Sequence, residues 1–123
     1  EQNNAIYREQ SRLIQEFAEK SDCVIVGRSA DYILREKHPF RLFVYAEMEH
    51  KMERCKKRAP ESEHFTDKEL KRHILDVDKR RARYYQCFTG QTWGDRLNYD
   101  LCINTSNYDI KELVHAIAHL VEA

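Results

Sequence analysis

Three basic residues share one face of a helix predicted at residues 48–58. Lys51, Arg54 and Arg58 stand at positions i, i+3 and i+7, which lie on the same side of an α-helix. Like charges at this spacing repel one another by about 0.2–0.5 kcal/mol per pair. A bound anion would offset that repulsion, so one interpretation is a phosphate-binding face. The alternative is a solvated basic face that neighbouring glutamates partly neutralise.

Two oppositely charged residues interrupt the apolar stripe of a long helix predicted at residues 66–85. Arg81 falls inside the stripe, and Asp78 lies close beside it. A charged side chain that points inward must be paired or must face a polar cavity. Two interpretations stay open. One is a buried Asp78–Arg81 pair that orders the core, and the other is an arginine that the aspartate orients toward a phosphoryl group.

Arg28 follows a short apolar run, CVIVG at residues 23–27, which is typical of a strand buried on both faces. An arginine at the carboxyl end of such a strand projects from the edge of a parallel sheet. Its guanidinium group can grip a phosphate or the edge of a base with two parallel hydrogen bonds. The alternative is a salt bridge to a neighbouring helix.

Other patterns predict no additional site. His115 and His119 have the spacing of a metal-binding pair, but they lie opposite the apolar stripe of their helix, and no third ligand is evident. We therefore expect no metal site. The basic stretch KRRARYY at residues 79–85 is short, and the chain as a whole is neutral, so binding to nucleic acid is not expected.

The composition is that of a folded, helix-rich domain. The chain has 123 residues, of which 41% are apolar and 34% are charged, and only three are glycine. No apolar run approaches the roughly 20 residues of a membrane span. None of the four cysteines belongs to a CxxC motif, so we expect reduced thiols and a cytoplasmic protein without a membrane contact.

The elements that must position these residues alternate between helices and strands. Besides the two helices above, apolar spacing and turn signals predict helices at 4–20, 30–37 and 109–122, and strands at 23–27, 41–46 and 99–103. Thr66 and Glu69 form a capping-box pattern that starts the long helix. This alternation predicts an α/β fold with a parallel sheet, whose ligands bind at the carboxyl ends of the strands.

Four segments together resemble the cytidylate-kinase-like family, whose members are relatives of the nucleoside monophosphate kinases in the P-loop NTPase superfamily. In chain order the segments are CVIVGRSADYIL, RLFVYA followed by ERCKKR, VDKRRARYYQCFTGQTWGD, and NYDLCINTS. Their order and spacing agree with the family from Gln10 to the last helix. The resemblance implies a three-layer, parallel-sheet P-loop kinase-like fold. It further implies one domain over residues 1–123, with a lid-like segment at about 48–70.

The resemblance also implies phosphoryl transfer from ATP to a nucleoside monophosphate such as CMP or dCMP, with Mg²⁺. Carried onto this chain, the family's motifs give substrate-binding residues Gln10, Arg28, Asp31 and Asp78. They give catalytic residues Arg54, Arg58 and Arg81, and residues near the donor nucleotide at Asn104 and Thr105. No metal ligand follows from a motif in the chain.

Two substitutions depart from the family pattern. Ser29 stands where cytidylate kinases have an aspartate, which leaves the specificity for cytosine open. Lys51 stands where relatives often have arginine, so the two-pronged grip of a guanidinium group is lost at that position.

The largest departure from the family is an absence. A phosphate-binding loop needs the pattern G-x-x-x-x-G-K-[ST], and none of Gly27, Gly90 and Gly94 begins it. In the family this loop and its strand precede the first helix, and the strand lies between those matching 23–27 and 41–46. We therefore expect that these two strands do not pair directly and that the sheet is incomplete. The chain would be a piece of a longer protein, or its sheet would be rearranged.

An incomplete sheet also bears on activity, because the donor nucleotide would lack its cradle. We expect residues 1–123 alone to be inactive. A non-catalytic module that binds nucleotides or anions, or one that binds other proteins, stays open as an alternative. Self-association into a homo-oligomer is likewise left open by the sequence.

Overall fold

The computed structural model describes residues 2–58 and 64–122. Its α-helices are α1 (Gln2–Lys20), α2 (Ala30–Ile33), α3 (Met48–Arg58), α4 (Asp67–Thr89) and α5 (Ile110–Glu122). Its strands are β1 (Leu42–Tyr45) and β2 (Leu101–Asn104), and short 3-10 turns occupy Arg35–Lys37 and Arg96–Asn98. Part of the predicted lid-like segment, residues 59–63, lies outside the described residues.

β1 and β2 form a two-stranded parallel sheet. Leu42 lies opposite Leu101, and the register runs without interruption to Tyr45 opposite Asn104. The chain between the two strands contains α3 and α4, as parallel pairing requires, since parallel strands cannot be joined by a tight turn. The α/β class and the strands predicted at 41–46 and 99–103 are confirmed.

The strand predicted at 23–27 was wrong. Residues 22–26 are not in a strand, and the Val24 and Val26 side chains are 94% and 89% exposed. Only Ile25 turns inward, against a small core cluster that contains Ile14 and Leu34. A strand exists only where a neighbour accepts and donates its backbone hydrogen bonds, and within residues 2–58 and 64–122 β1 pairs with β2 alone. The expectation that the segment does not pair with residues 41–46 is confirmed.

α4 is the longest helix of the described chain, and it begins where the capping box predicts. The Glu69 amide donates to Thr66 Oγ1 at 3.2 Å, and the Thr66 amide donates to Glu69 Oε1 at 3.0 Å. The helix continues four residues beyond the predicted end and stops at Gly90, whose φ of 71° suits a glycine cap. Its buried residues include Leu70 and Ile74, on the half of the helix that packs against α3.

One other helix differs from prediction in detail. The helix predicted at 30–37 divides into α2 and the 3-10 turn that follows it. Near the C-terminus of α4, the rings of Tyr7 and Phe88 stack at 4.1 Å between centroids, which ties α1 to α4. None of the helices within the described ranges combines the length and apolarity that a bilayer-spanning segment requires.

A large share of the apolar surface faces outward. The chain of 14.8 kDa has an accessible surface of 9864 Å², whereas a folded monomer of this mass is expected to expose about 7,000 Å². Aliphatic and phenylalanine side chains that are at least half exposed lie on five separate parts of the fold: Ile6 and Phe17 on α1, Val24 and Val26, Val44 on β1, Leu97 in the second 3-10 turn, and Val114, Leu120 and Val121 on α5. No residue of α5 is fully buried.

Candidate functional site

A basic side chain is fixed at the carboxyl end of the sheet. Arg54 of α3 donates from Nη1 to Thr105 Oγ1 at 2.8 Å and from Nη2 to the Thr105 carbonyl at 2.6 Å. Thr105 follows β2 directly, is 3% exposed, and donates its amide to the Tyr45 carbonyl at 2.8 Å. The sheet therefore holds Arg54 at the edge where α/β proteins bind ligands. Two residues that the sequence analysis assigned to different roles meet here.

Asp78 of α4 joins two further cations beside this edge. Lys51 Nζ lies 2.8 Å from Asp78 Oδ2, and Arg81 Nη1 lies 2.9 Å from Asp78 Oδ1. The Asp78 side chain is 22% exposed, whereas that of Arg81 is 63% exposed. The Asp78–Arg81 pair thus exists, but it is not buried, and most of the Arg81 side chain faces solvent.

These contacts define the basic cluster: Lys51, Arg54, Asp78, Arg81 and Thr105. The cluster contains three cations and one carboxylate, of which Lys51 and Arg81 pair with Asp78 and Arg54 is bonded to Thr105, so it carries a net positive charge. Arg58, which shares the basic face of α3, is exposed and pairs with none of the described residues. The structure therefore brings Lys51 and Arg54 into the cluster and leaves Arg58 outside it.

The loop that carries Arg28 has an unusual backbone. Gly27, Arg28 and Ser29 have φ angles of 73°, 59° and 57°, so three consecutive residues adopt the left-handed region. That conformation is costly for residues with a Cβ atom and is found mainly where the surroundings impose it. The Ser29 hydroxyl is buried without a hydrogen-bond partner among the described residues.

Arg28 is exposed and forms no ion pair with any described residue. The salt bridge to a neighbouring helix that the sequence left open is thus absent from the described part of the chain. The guanidinium group is free to meet a ligand.

Asp31 belongs to a buried polar cluster rather than to the basic cluster. The Tyr85 hydroxyl lies 2.7 Å from Asp31 Oδ2 and 2.7 Å from Gln91 Oε1. Tyr85 is 4% exposed, and burial raises its pKa, with further increases from the hydrogen bond to Asp31 and the charge of Asp31. Burial likewise raises the pKa of Tyr99, and the charge of Asp31 raises it further. Both phenols are therefore neutral at physiological pH.

The same aspartate acts on a residue at the amino end of β1. The pKa of Arg41 is raised mainly by its hydrogen bond to Asp100, and the charge of Asp31 adds to the effect. Arg41 immediately precedes β1, and Asp100 precedes β2. The charge of Asp31 thus acts on both Tyr99 and Arg41.

Two other predicted residues are engaged in local contacts. Gln10 of α1 accepts a hydrogen bond from the Tyr84 hydroxyl at 3.3 Å. Asn104 Oδ1 accepts from the Ser106 amide at 3.0 Å and from the Ser106 hydroxyl at 2.6 Å, which shapes the turn after β2. Gln10 thus supports the packing of α1 on α4, and Asn104 supports the turn that holds Thr105.

The sequence analysis did not single out Tyr85, Gln91, Tyr99 or the Arg41–Asp100 pair. One signal was present for Tyr85, because it stands seven residues after Asp78 and four after Arg81, on the same helix face. The others come from loops, where neither spacing nor residue type indicates a partner.

The described residues do not fit Mg²⁺ or a donor triphosphate. They contain no group of three or more histidine, cysteine, aspartate or glutamate side chains able to hold a metal ion. Asp78, the carboxylate of the basic cluster, is already paired with Lys51 and Arg81. The chain also lacks the glycine pattern whose backbone amides cradle phosphates.

Comparison with known proteins identifies the class. The model of the cytidylate kinase-like family matches residues 1–107. The chain therefore belongs to the cytidylate kinase-like family. No curated protein matches it.

A solved structure is similar over nearly the whole chain. It is that of an uncharacterized protein from Eubacterium ventriosum ATCC 27560, with a TM-score of 0.84 and 27% sequence identity. The match covers 95% of this chain and 65% of the other, so this chain spans slightly less than two thirds of that protein.

Proposed function

We propose that this chain supplies part of a nucleoside monophosphate kinase with a P-loop kinase-like fold. It contributes the residues that bind the acceptor and the lid residues that close over the phosphates. In the complete reaction, an oxygen of the acceptor phosphate bonds to the γ-phosphorus of ATP. The bond from that phosphorus to the β–γ bridging oxygen breaks, and ADP leaves with the electron pair. The expected acceptor is a CMP- or dCMP-like monophosphate, in accordance with the family.

The basic cluster is the observation that carries the proposal. Lys51, Arg54 and Arg81 come from two helices that converge beside the carboxyl end of β2. Phosphoryl transfer depends mostly on positioning and on neutralising the charge of the phosphates. A monophosphate carries about two negative charges at neutral pH, which the cluster can balance. Asp78 keeps Lys51 and Arg81 in place while no phosphate is bound.

Arg54 and Arg81 suit two different tasks within this cluster. Thr105 fixes both terminal nitrogens of Arg54, so this guanidinium group is preorganised and moves little on binding. Arg81 is held through Nη1 alone, and its side chain is largely exposed, so it can turn toward a phosphoryl group. Arg28, Asp31 and Gln10 stay proposed acceptor contacts, Arg58 a proposed lid residue, and Asn104 with Thr105 proposed neighbours of the donor nucleotide.

The donor nucleotide and its Mg²⁺ are assigned to polypeptide outside these residues. The exposed apolar side chains on α1, residues 22–26, β1 and α5 support this assignment, as does the surface area of 9864 Å². The open edge of β1 would accept a further strand. The chain by itself is accordingly expected to bind a monophosphate without turning it over.

The test is a calorimetric titration of purified residues 1–123 with CMP and with cytidine, which lacks the phosphate. Arg81→Ala and Arg54→Ala should each weaken CMP binding by roughly 10–100-fold, since a charge-assisted hydrogen bond contributes about 1.5–3 kcal/mol. Arg72→Ala is the matched control, because Arg72 is an exposed arginine on the same helix, away from the cluster. Equal CMP affinity in wild type and both cluster variants would refute the proposal.

A turnover assay tests whether the chain only binds a monophosphate or also catalyses phosphoryl transfer. With ATP, Mg²⁺ and CMP, residues 1–123 should form no CDP. CDP formation that Arg81→Ala abolishes would show that the donor site lies within the chain and that the division proposed above is wrong.

A second function is favoured by one specific observation. The described residues combine a phosphate-sized basic cluster with the lack of any group that could hold a metal. A non-catalytic module that binds nucleotides or anions would show the same features. It would bind sulfate and CMP with similar affinity, whereas an acceptor site would prefer CMP to sulfate and to AMP.

A further inference from the structure

The loop of Arg28 cannot hold its conformation alone. Its two left-handed non-glycine residues cost about 1–3 kcal/mol each. The helix that follows, α2, has only four residues, far fewer than an isolated helix needs to be stable in water. Within the turn, the amides of Tyr32 and Ile33 both donate to the Ser29 carbonyl, at 3.0 and 2.9 Å. These local bonds shape the turn but do not attach it to the remainder of the fold.

Two kinds of contact attach the loop. Ala30 and Leu34 pack against Ile14 of α1, which is a nondirectional apolar contact. Asp31 adds a directional one, because its carboxylate accepts a hydrogen bond from the buried Tyr85 hydroxyl at 2.7 Å. Asp31 stands three residues after Arg28, so this bond fixes the chain one short turn from the guanidinium group.

Hydrogen-bond counting shows why the hydroxyl is firmly placed. A phenol has one proton, and an ionised carboxylate can only accept, so the proton of Tyr85 is directed to Asp31. The contact with Gln91 is then satisfied when the Gln91 amide presents its NH₂ group to the phenol oxygen. Tyr85 therefore joins α2, α4 and the loop after α4 at one point.

α4 also carries two residues of the basic cluster. Asp78, Arg81 and Tyr85 stand at i, i+3 and i+7 and share one helix face. The helix that presents Arg81 thus also holds the loop that presents Arg28. A rigid helix keeps the two attachment points at a constant separation.

We propose that Tyr85 is a positioning residue whose hydroxyl, through Asp31, fixes the loop of Arg28 to α4 and so holds the Arg28 guanidinium group in place for the acceptor monophosphate. This inference rests on the function proposed above. It assigns Tyr85 no contact with the ligand, only control over the placement of a residue that has one.

The test compares Tyr85→Phe with Tyr84→Phe. Each variant loses one tyrosine hydroxyl from α4 and keeps its ring, but Tyr84 donates to Gln10 instead of Asp31. In Tyr85→Phe, the amides of Tyr32 and Ile33 should exchange hydrogen roughly tenfold faster. CMP binding should weaken by a similar factor, about tenfold. Tyr84→Phe should leave exchange in residues 28–33 unchanged.

A double-mutant cycle distinguishes positioning from a general loss of structure. In an Arg28→Ala background, Tyr85→Phe should cause no further loss of CMP affinity, because the residue being positioned is gone. A full additional loss in that background would overturn the proposal. So would unchanged exchange in residues 28–33 of Tyr85→Phe.

Asp31→Ala provides a second test of the same hydrogen bond in case Tyr85→Phe does not fold. It breaks the same hydrogen bond from the less buried side and should quicken exchange of the same amides. Unaltered exchange in folded Asp31→Ala would also overturn the proposal. If exchange were faster in both variants but the protein bound no CMP, the Tyr85–Asp31 hydrogen bond would be shown to hold the loop. The proposed function, and not the attachment of the loop, would then be refuted.

Discussion

Two apolar runs of this chain are alike in sequence and unlike in structure. Residues 42–45 form β1, with β2 along one edge and a side-chain clamp from Asp100 to Arg41 just before the strand. Residues 23–26 are equally apolar, yet they lie in no strand, and Val24 is 94% exposed. The difference shows that an apolar run is compatible with a strand, but that the strand forms only where a neighbouring strand supplies backbone hydrogen bonds.

The same contrast separates the two halves of the candidate site. The basic cluster stands beside the paired strands, and its arginine Arg54 is bonded to the chain that follows β2. Arg28 follows the unpaired run, in a loop with a strained backbone and no ion pair to described residues. The first half is held by hydrogen bonds to the sheet, whereas the second is attached through the hydrogen bond from Tyr85 to Asp31 and the packing of Ala30 and Leu34 on Ile14.

Hydrogen exchange should show the largest difference between the two runs. The Thr105 amide donates to the Tyr45 carbonyl at 2.8 Å and the Leu101 amide to the Arg41 carbonyl at 3.2 Å, which protects both from exchange. Amides of residues 22–26 have no ladder partner among the described residues. Mass-spectrometric exchange should therefore be at least about 100-fold slower at residues 101–105. Comparable protection at both places would mean that residues 22–26 are paired in solution.

Side-chain truncation should give the next largest difference. Phe43 of β1 contacts the rings of Trp93 and Tyr99, at 5.1 and 4.9 Å between centroids. Phe43→Ala should lower the free energy of unfolding by about 2–3 kcal/mol, because a partly buried aromatic contact is lost. Val26→Ala should change it by less than about 0.5 kcal/mol, since Val26 is 89% exposed. Urea denaturation measures both, and a larger loss in Val26→Ala would show that this run is covered.

Acid titration of stability should give the smallest effect. The hydrogen bond from the Arg41 side chain lowers the pKa of Asp100, and the Arg41 amide lowers it further. A carboxylate with a depressed pKa stabilises the fold above its ordinary pKa of about 4, and that stabilisation is lost as the pH falls through the depressed value. Asp100→Asn should cost about 0.5–1 kcal/mol at pH 7, because the pair is partly exposed.

The pH profile supplies the control for this pair. Once the pH has fallen below the depressed pKa of Asp100, so that the wild-type carboxylate is also protonated, the stabilities of wild type and Asp100→Asn should converge. A constant difference across the whole pH range would contradict the role of the Asp100 charge in fixing the start of β1.

Features that depend on nearby residues could be predicted from the sequence. The bounds of α3, the capping box of α4 and the two paired strands follow from periodicity and from local hydrogen bonding, which act within a few residues. Membership of the cytidylate kinase-like family also follows, because it depends on the order of short motifs. The face shared by Lys51 and Arg54 was correct for the same reason.

Only the tertiary structure decided which of these residues meet. Arg54 and Thr105 are 51 positions apart, Lys51 and Asp78 are 27 apart, and Asp31 and Tyr85 are 54 apart. No local pattern records such contacts, because they depend on how helices pack against the sheet. Whether residues 23–27 form a strand could likewise not be predicted from those residues alone. A strand forms when another strand satisfies its backbone, and that partner is a property of the fold, not of the run itself.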